Sequence, residues 1–221
     1  MSWILQVAIA ILLMVWMFRQ VRKPSGPLGR SVVRAMSVSH SKTTDWGLQQ
    51  VTVAASATVL DNGCGGGRTV SKLASLAPVG KVVGLDYSAA SVAVARQKNA
   101  QEIAAGRVEI EQGSVSALPF PDGTFDVVTA VETHYCWPDL PASVREVLRV
   151  LKPGGVFILI AETYNGGPLR LLYGIIMPLL RAAFLTDAEH RELLTQAGFS
   201  EATTKHIPGK NWICAIGRRP A

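Results

Sequence analysis

The fold of this chain is decided by one short stretch of sequence, Ala57-Thr58-Val59-Leu60-Asp61-Asn62-Gly63-Cys64-Gly65-Gly66-Gly67. An apolar run typical of a buried strand ends on an acid, opens at once into glycines and continues into the pattern of a helix. Glycines let the backbone turn with positive φ and approach a ligand closely, and the free N–H groups at a helix start attract an anionic group. The stretch therefore predicts a nucleotide-binding turn.

Two familiar nucleotide-binding patterns fail on these residues. A dinucleotide fingerprint, Gly-x-Gly-x-x-Gly, would place Arg68 or Val70 at its last glycine, and a P-loop would need a lysine where Arg68 stands. What remains is Asp-x-Gly-x-Gly-x-Gly, followed by a second apolar strand at 81–85 that ends on Asp86. Asp86 lies 23 residues after Gly63, near the spacing of roughly 20 expected of an acid that binds ribose hydroxyls.

Three further segments follow in order, at 113–120, 125–130 and 146–155. With the glycine turn and Asp86, they resemble the class I S-adenosylmethionine (SAM)-dependent methyltransferases over roughly residues 40–217. Within that superfamily the chain is most similar to the branch of ubiquinone and menaquinone biosynthesis. The resemblance implies an α/β fold, a Rossmann-like, doubly wound, mostly parallel seven-stranded sheet with an antiparallel closing hairpin.

The resemblance also implies which residues hold the cofactor, S-adenosyl-L-methionine. They are Asp61, Gly63, Cys64, Gly65, Asp86, Tyr87, Ser114, Val115 and Glu132. Ser114 departs from the family pattern, which often has an acid there to accept a hydrogen bond from the adenine amino group. We expect the Ser114 hydroxyl or the backbone around Val115 to make that contact. Asn62 also departs, because an apolar residue is usual at its position.

Catalytic candidates cluster after the strand predicted at 124–131. Methyl transfer from a sulfonium is an in-line displacement, so a base is needed only when the acceptor must lose a proton. Glu132 and His134 are the candidate bases, and Tyr135 is a candidate positioning residue. In the alternative interpretation, Glu132 contacts only the loop backbone or the SAM ammonium group, and His134 faces solvent from a mobile loop.

Substrate contacts are predicted at four other residues. His40 and Trp46 lie in a segment that related enzymes often fold over bound SAM. Tyr164 and Tyr173 belong to an apolar insertion, 164–185, which in related enzymes forms a lid over the acceptor. An apolar lid favours a lipid-like or quinone-like acceptor, and an ordinary helix packed on the sheet is the alternative. No pattern in the sequence predicts a metal site.

Charge and hydropathy divide the chain into three parts: a membrane anchor with its basic flank at 1–23, a linker at 24–38 and a methyltransferase domain at 39–221. The chain has 22 Lys and Arg and 16 Asp and Glu, and six of the bases but none of the acids lie in residues 1–44. The whole net charge of +6 therefore belongs to the N-terminal arm. A neutral domain without a basic, aromatic groove argues against a nucleic-acid partner.

The anchor is predicted from residues 3–18, which carry no charge and have a tryptophan near each end. Eighteen helical residues span roughly 27 Å, against an apolar bilayer core of about 30 Å. Because basic residues follow the run, we expect a single-pass protein with its catalytic domain in the cytoplasm. An interfacial helix and a cleaved signal peptide are the alternatives. Three widely spaced cysteines indicate neither disulfides nor zinc, which fits the same compartment.

The periodicity of apolar residues predicts the remaining elements. Helices are expected at 30–36, 48–55, 66–77, 88–104, 139–150 and 187–197, and strands at 81–85, 107–112, 124–131, 155–162, 201–207 and 211–217. This βαβ alternation brings the loops after the strands to one edge of a parallel sheet, where a ligand binds. Three functions stay open: a methyltransferase with a small, apolar or membrane-associated acceptor, a membrane-tethered SAM-binding protein with little catalysis, and, more distantly, an NAD-dependent dehydrogenase.

Overall fold

A computed structural model describes residues 5–6, 9, 16–17 and 19–221. Residues 19–22 are helical, and the helices α1 (Gly26–Ser39) and α2 (Ser41–Leu48) follow them before the first strand. The elements that follow are β1 (Thr58–Asn62), α3 (Arg68–Leu76), β2 (Lys81–Asp86), α4 (Ala89–Lys98), α5 (Ala100–Ala104), β3 (Val108–Gln112), β4 (Phe125–Val131), a 3₁₀ helix (His134–Cys136), α6 (Leu140–Val150), β5 (Leu151–Ala161), α7 (Arg170–Leu179), α8 (Asp187–Ala197), β6 (Ser200–His206) and β7 (Ile213–Arg218).

The strands of the described residues form one seven-stranded sheet in the order β3-β2-β1-β4-β5-β7-β6. Strands β1 to β5 run parallel, and β7 is antiparallel to its neighbours β5 and β6. The predicted Rossmann-like, mostly parallel sheet with an antiparallel closing hairpin is therefore confirmed. Chain order reverses between β1 and β4, and ligands of doubly wound sheets bind at such a switch point, beyond the carboxyl ends of the strands.

Apolar side chains cover both faces of the sheet. Along β5, Phe157 and Leu159 join the layer under α6 and α8, whereas Ile158 and Ile160 join the layer under α3 and α4. All four are at most 1% exposed. Because both faces are covered, the central strands are mostly apolar, as is usual for parallel sheets. Polar side chains of these strands are consequently concentrated at the strand ends.

Two predicted helices differ from the structure. The helix expected at 48–55 is wrong, because the helix there is α2, which ends at Leu48. A Cβ at Gly47 would lie 2.4 Å from Ile160, so only glycine lets α2 pack this closely on β5. The helix expected at 88–104 is interrupted at Asn99, whose side-chain amide donates to the carbonyl of Gly67 at 3.0 Å.

Two element starts also differ. Helix α1 begins at Gly26, within the stretch expected to be a linker, and runs past the predicted 30–36. Strand β5 begins at Leu151 rather than at 155, because Leu151 pairs with Phe125 ahead of a register shift in the β4–β5 ladder. That irregularity accommodates the proline-glycine turn at 153–154.

Among the described residues, no helix is both long enough and apolar enough to cross a membrane. The predicted anchor falls mostly outside them, since only 5–6, 9 and 16–17 of the run 3–18 are described. The anchor gains no support from these residues and stays a prediction.

Two buried histidines lie side by side in the core. The ring centroids of His134 and His190 are 5.6 Å apart, and each residue is 1% exposed. His190 Nδ1 is 2.8 Å from the carbonyl oxygen of Thr186, whereas neither ring nitrogen of His134 has a hydrogen-bond partner among the described residues. Burial lowers the pKa of both histidines, that of His134 well below its ordinary value. Both rings are therefore neutral in the folded protein.

We predict that this pair makes the fold sensitive to acid. A histidine whose pKa is lowered on folding contributes stability that is present above its unfolded pKa, near 6.5, and lost below it, by up to about 1.4 kcal/mol per pH unit. In urea denaturation, His134→Phe should therefore lose less free energy of unfolding between pH 7 and pH 5 than the unsubstituted protein. His206→Phe, at an exposed position, is the control. Equal pH slopes for all three proteins would contradict the prediction.

Candidate functional site

The glycine turn connects the end of β1 to α3. Gly63, Gly65 and Gly67 have positive φ values of 83°, 51° and 75°, which residues with a Cβ rarely adopt. The N–H groups of Gly63 and Cys64 donate to the carbonyl of Leu85 at 2.7 and 2.9 Å, which holds the turn against β2. A Cβ at Gly65 would meet nothing within 4 Å. The turn therefore leaves open space beside its central glycine.

Asp86 ends β2 next to this turn. Its carboxylate accepts hydrogen bonds from the backbone N–H groups of Gly65 and Ser88, at 2.9 and 2.8 Å. Burial raises the pKa of Asp86, and those two N–H groups act in the opposite direction. Because an ionised carboxylate has about four acceptor sites, Asp86 keeps the capacity to accept further hydrogen bonds from a ligand.

The turn and Asp86 lie in the wall of a cavity of about 350 Å³. The cavity brings together these predicted site residues: His40, Gly63, Cys64, Gly65, Asp86, Tyr87, Ser114, Val115 and Glu132. Most of them follow β1, β2, β3 or β4 directly, so the carboxyl edge of the parallel sheet assembles them from distant parts of the chain. This is the edge at which α/β sheets bind their ligands.

Glu132 directly follows β4 and has a φ of 58°, an uncommon value for a residue with a side chain. Its carboxylate accepts a hydrogen bond from the backbone N–H of Glu162, and the Tyr135 hydroxyl lies beside it. Burial raises the pKa of Glu132 to about 8, and the charge of Glu162 acts in the same direction. Near neutral pH the free protein therefore holds this carboxyl largely protonated. A cation bound beside it would favour the carboxylate.

Sequence reasoning missed a further carboxyl group at this edge, that of Glu162. It follows β5 as Glu132 follows β4, and its oxygens lie 2.7 Å from the hydroxyl of Thr43 and 3.1 Å from Nδ1 of His40. The hydrogen bond with Glu162 raises the pKa of His40, and His40 in turn lowers the pKa of Glu162. The signal that could have revealed Glu162 is an acid directly after an apolar strand, the same signal that indicated Asp86.

The N-terminal segment, defined here as residues 19–40, closes one side of the cavity. It contributes Val21, Arg22, Pro24, Val33, Met36 and His40 to the lining. The carbonyl of Arg22 accepts a hydrogen bond from the Tyr87 hydroxyl, and that of Pro24 accepts one from the Ser88 hydroxyl at 2.7 Å. Helix α1 of this segment packs against α4. The stretch expected to be a linker thus lies on the domain and forms part of the site.

Three predicted residues lie near the cavity without lining it. Asp61 is buried on β1, where its carboxylate accepts a 2.8 Å hydrogen bond from Thr129, and burial raises its pKa to about 7. The Tyr135 hydroxyl accepts a hydrogen bond from the N–H of Thr163 at 3.1 Å and donates to the Thr163 carbonyl at 3.2 Å, next to the Glu132 carboxyl. His134 does not face solvent from a mobile loop, because it is buried in the 3₁₀ helix.

The other substrate candidates are not part of the lining. Trp46 packs against Trp212, with ring centroids 6.1 Å apart. Tyr164 is 8% exposed in the core, 6.1 Å from the ring of His206. Tyr173 lies on α7, and none of the fully described insertion at 164–185 contributes to the cavity lining. The expected lid therefore does not line the cavity, although Leu180 within it accepts a hydrogen bond from the lining residue Arg22 at 3.5 Å.

The arrangement fits SAM as a cofactor. The open space at Gly65 is room that any side chain would fill, and Asp86 has free acceptor sites suited to ribose hydroxyls. SAM is a cation at its sulfonium and at its amino group. The carboxyls of Asp86 and Glu132, whose pKa values burial raises, would gain compensation for their charge from such a ligand.

Comparisons with known proteins agree with this geometry. The family model described as "Methyltransferase domain" matches residues 60–159. The demethylmenaquinone methyltransferase of Lactiplantibacillus plantarum is 37% identical over 166 residues, which cover 72% of this chain and 68% of that protein.

Solved structures share the fold at lower identity. A chain of the complex between the Haloferax volcanii Trm112 methyltransferase activator and a candidate methyltransferase superposes with a TM-score of 0.78 at 22% identity, covering 86% of this chain and 95% of that one. The structure of human N-acetylserotonin methyltransferase in complex with SAM superposes with a TM-score of 0.72 at 21% identity. The match covers 87% of this chain and 56% of that one. These likenesses show the fold, and the relative at 37% identity shows the family. This chain belongs to the class I SAM-dependent methyltransferases, and S-adenosylmethionine is its cofactor.

Proposed function

We propose that the protein transfers the methyl group of SAM to a small, apolar acceptor of quinone type. One observation carries the proposal: the glycine turn, Asp86 and Glu132 share a cavity whose remaining wall is largely apolar. The name of the similar protein, demethylmenaquinone methyltransferase, supports a quinone-type acceptor. The dehydrogenase alternative has no such support, because the dinucleotide fingerprint is missing and the matching family is a methyltransferase family.

The donor part of the cavity is assigned to the turn and to the ends of β2 and β3. Asp86 accepts hydrogen bonds from the ribose hydroxyls, Gly63 and Cys64 border the ligand, and Gly65 leaves room for it. Tyr87, Ser114 and Val115 border the adenine. The Ser114 oxygen already accepts the N–H of Ser116 at 3.2 Å, so its proton and one lone pair stay available.

The acceptor part is assigned to the apolar lining. It consists of Val21, Val33 and Met36 from the N-terminal segment and Trp137 and Pro138 from the loop after β4. Apolar walls with a few convergent polar groups are typical of small-molecule sites and suit an apolar ring or chain. Two polar side chains of the N-terminal segment, Arg22 and His40, also line the cavity, and Nδ1 of His40 is 3.1 Å from the Glu162 carboxylate.

SAM supplies a methyl carbon already activated by its sulfonium. The chain holds the acceptor in line with that carbon and excludes water from it. The Glu132 carboxylate accepts the acceptor's proton as the acceptor's electron pair forms the new bond to carbon, and the electrons of the broken C–S bond stay on sulfur. Tyr135 and the N–H of Glu162 fix the carboxylate during this transfer.

A SAM-binding protein with little catalysis is the second candidate function. Ser114 favours it, because a hydroxyl stands where related enzymes often have an acid. The two functions differ in whether a methylated product forms.

We also propose that residues 3–18 tether the protein to a membrane as a single pass, with the catalytic domain in the cytoplasm. The run without charge and its flanking tryptophans support the proposal. Arg19, Arg22 and Lys23 follow directly, and each contributes about 1 kcal/mol near an anionic leaflet.

The cofactor assignment is tested by Gly65→Val. Its side chain should fill ligand space and weaken SAM binding by roughly fivefold to 150-fold, the range that corresponds to about 1–3 kcal/mol of overpacking. Gly154→Val is the matched control, because Gly154 also has positive φ and nothing within 4 Å of its Cβ but does not line the cavity. Calorimetric titration with SAM measures both. Equal affinities in the two variants would refute the assignment of Gly65.

The proposed reaction is tested by incubating the enzyme with SAM and a lipid extract, followed by mass spectrometry. We expect a product heavier by one methylene group, and Glu132→Gln should lower its turnover roughly 10²-fold or more. His134→Gln, outside the cavity lining, should be the milder substitution.

The reaction should also depend on pH. Since the Glu132 carboxylate of the free enzyme predominates only above its pKa of about 8, kcat/KM for SAM should fall as the pH drops below that value.

Each other outcome of this assay has a definite meaning. A Glu132→Gln enzyme with near-normal turnover eliminates the catalytic role, and a change confined to the KM for SAM assigns Glu132 to the SAM ammonium group. Bound SAM without any heavier product supports the second candidate function.

Cell fractionation tests the tether. The full chain should stay with membranes after carbonate washing, and deletion of residues 1–18 should reduce that fraction. A C-terminal tag should resist protease added to intact cells. Release of the full chain by carbonate, or cleavage of the tag from outside, would contradict the anchor and its orientation.

A further inference from the structure

Helix α7 turns its apolar face outward. The docking face, as we call it, consists of Leu171, Leu172, Ile175 and Leu179, which are 78, 52, 68 and 79% exposed. At 3.6 residues per turn these four side chains lie within an arc of about 100°. Met177, on the other side of the helix, is 6% exposed. An ordinary surface helix shows the reverse pattern, with its apolar stripe toward the core.

The sequence around the docking face is cationic. Residues 163–186 contain Arg170 and Arg181 but no acid. Both arginines are exposed at the two ends of α7. The Arg22 side chain donates to the carbonyl of Leu180 at 3.5 Å, which brings the basic part of the N-terminal segment to the end of this helix. The helix therefore combines an exposed apolar face with flanking positive charge.

Exposed apolar side chains also occur in the N-terminal segment and just before it. Trp16, Met17 and Val21 are 38, 48 and 45% exposed. An apolar helix face flanked by basic residues is the pattern by which interfacial helices bind anionic lipid. A second copy of the chain is a poorer occupant, because pairing two α7 helices would place arginines near arginines.

We propose that α7 lies in the interface of an anionic membrane, with the docking face among the acyl chains and Arg170 and Arg181 at the head groups. This inference rests on the proposed function in one respect, the apolar nature of the methyl acceptor. It does not require residues 3–18 to span the membrane. A docked α7 would hold Arg22, which lines the cavity, next to the membrane surface.

Hydrogen exchange measured by mass spectrometry locates the contact. The full chain is compared with and without vesicles of phosphatidylglycerol and phosphatidylcholine in equal parts. We expect amide exchange in 170–180 to slow at least several-fold with these vesicles and to change little with phosphatidylcholine alone. Helix α5, which has no buried residue, should exchange at the same rate in all samples.

A paired variant tests the docking face itself. Ile175→Glu combined with Leu179→Glu should abolish the slowed exchange and weaken vesicle affinity roughly tenfold or more. Val79→Glu is the control, since Val79 is 76% exposed in the turn before β2. Both proteins should keep their affinity for SAM, so this test fails or succeeds independently of the cofactor site.

Three results would overturn the proposal. The first is unchanged exchange in 170–180 when anionic vesicles are added. The second is slow exchange without vesicles that depends on protein concentration, which would identify a second copy as the occupant. The third is slow exchange without vesicles that disappears when residues 1–18 are deleted, which would identify that segment as an internal cover.

Discussion

The site depends on the burial of carboxyl groups at one edge of a parallel sheet. Asp61, Asp86, Glu132 and Glu162 stand at or just beyond the ends of β1, β2, β4 and β5. Removing a carboxylate from water is costly without compensation, and burial accordingly raises the pKa of Asp61, Asp86 and Glu132. Backbone N–H groups and His40 supply part of the compensation. A cationic ligand supplies the rest, so the sheet edge itself favours the charge of SAM.

The same charge balance separates substrate from product. Methyl transfer converts the sulfonium into a neutral thioether, so the product keeps only the positive charge of its amino group. Loss of the sulfonium charge favours the protonated form of Glu132, whose pKa burial raises to about 8 in the free protein. The carboxyl groups can interact with the sulfonium charge of SAM but not with the neutral thioether of the product. Buried carboxyl groups with raised pKa values therefore favour SAM over the product and promote exchange of one for the other.

The sequence was most informative where a functional residue directly follows an apolar strand. Local sequence patterns were enough to predict the sheet, the glycine turn, Asp86 and Glu132. Each short apolar run predicts a buried strand, and the residues that end or follow the run then lie at the edge of the sheet. The pairing of His40 with Glu162 could not, since it joins residues that are distant in sequence and adjacent only after folding. The packing of residues 24–38 onto the domain was missed for the same reason, because it depends on contacts such as Pro24 with Ser88. His134 looked like a loop residue because nothing local reveals its burial beside His190.

The uncharged run at residues 3–18 lies close in sequence to the cavity lining, and this closeness explains why an apolar acceptor would suit the protein. Val21, which lines the cavity, is three residues beyond position 18, where that run ends. Even a fully extended chain covers at most about 11 Å over three residues. If the run lies in a membrane, the apolar wall of the cavity is held within that distance of the bilayer. An apolar acceptor that leaves the bilayer through water exposes its surface at a cost of about 25 cal/mol per Å². Over so short a gap, most of the acceptor's surface stays covered by lipid or by the cavity wall, so most of that cost is avoided.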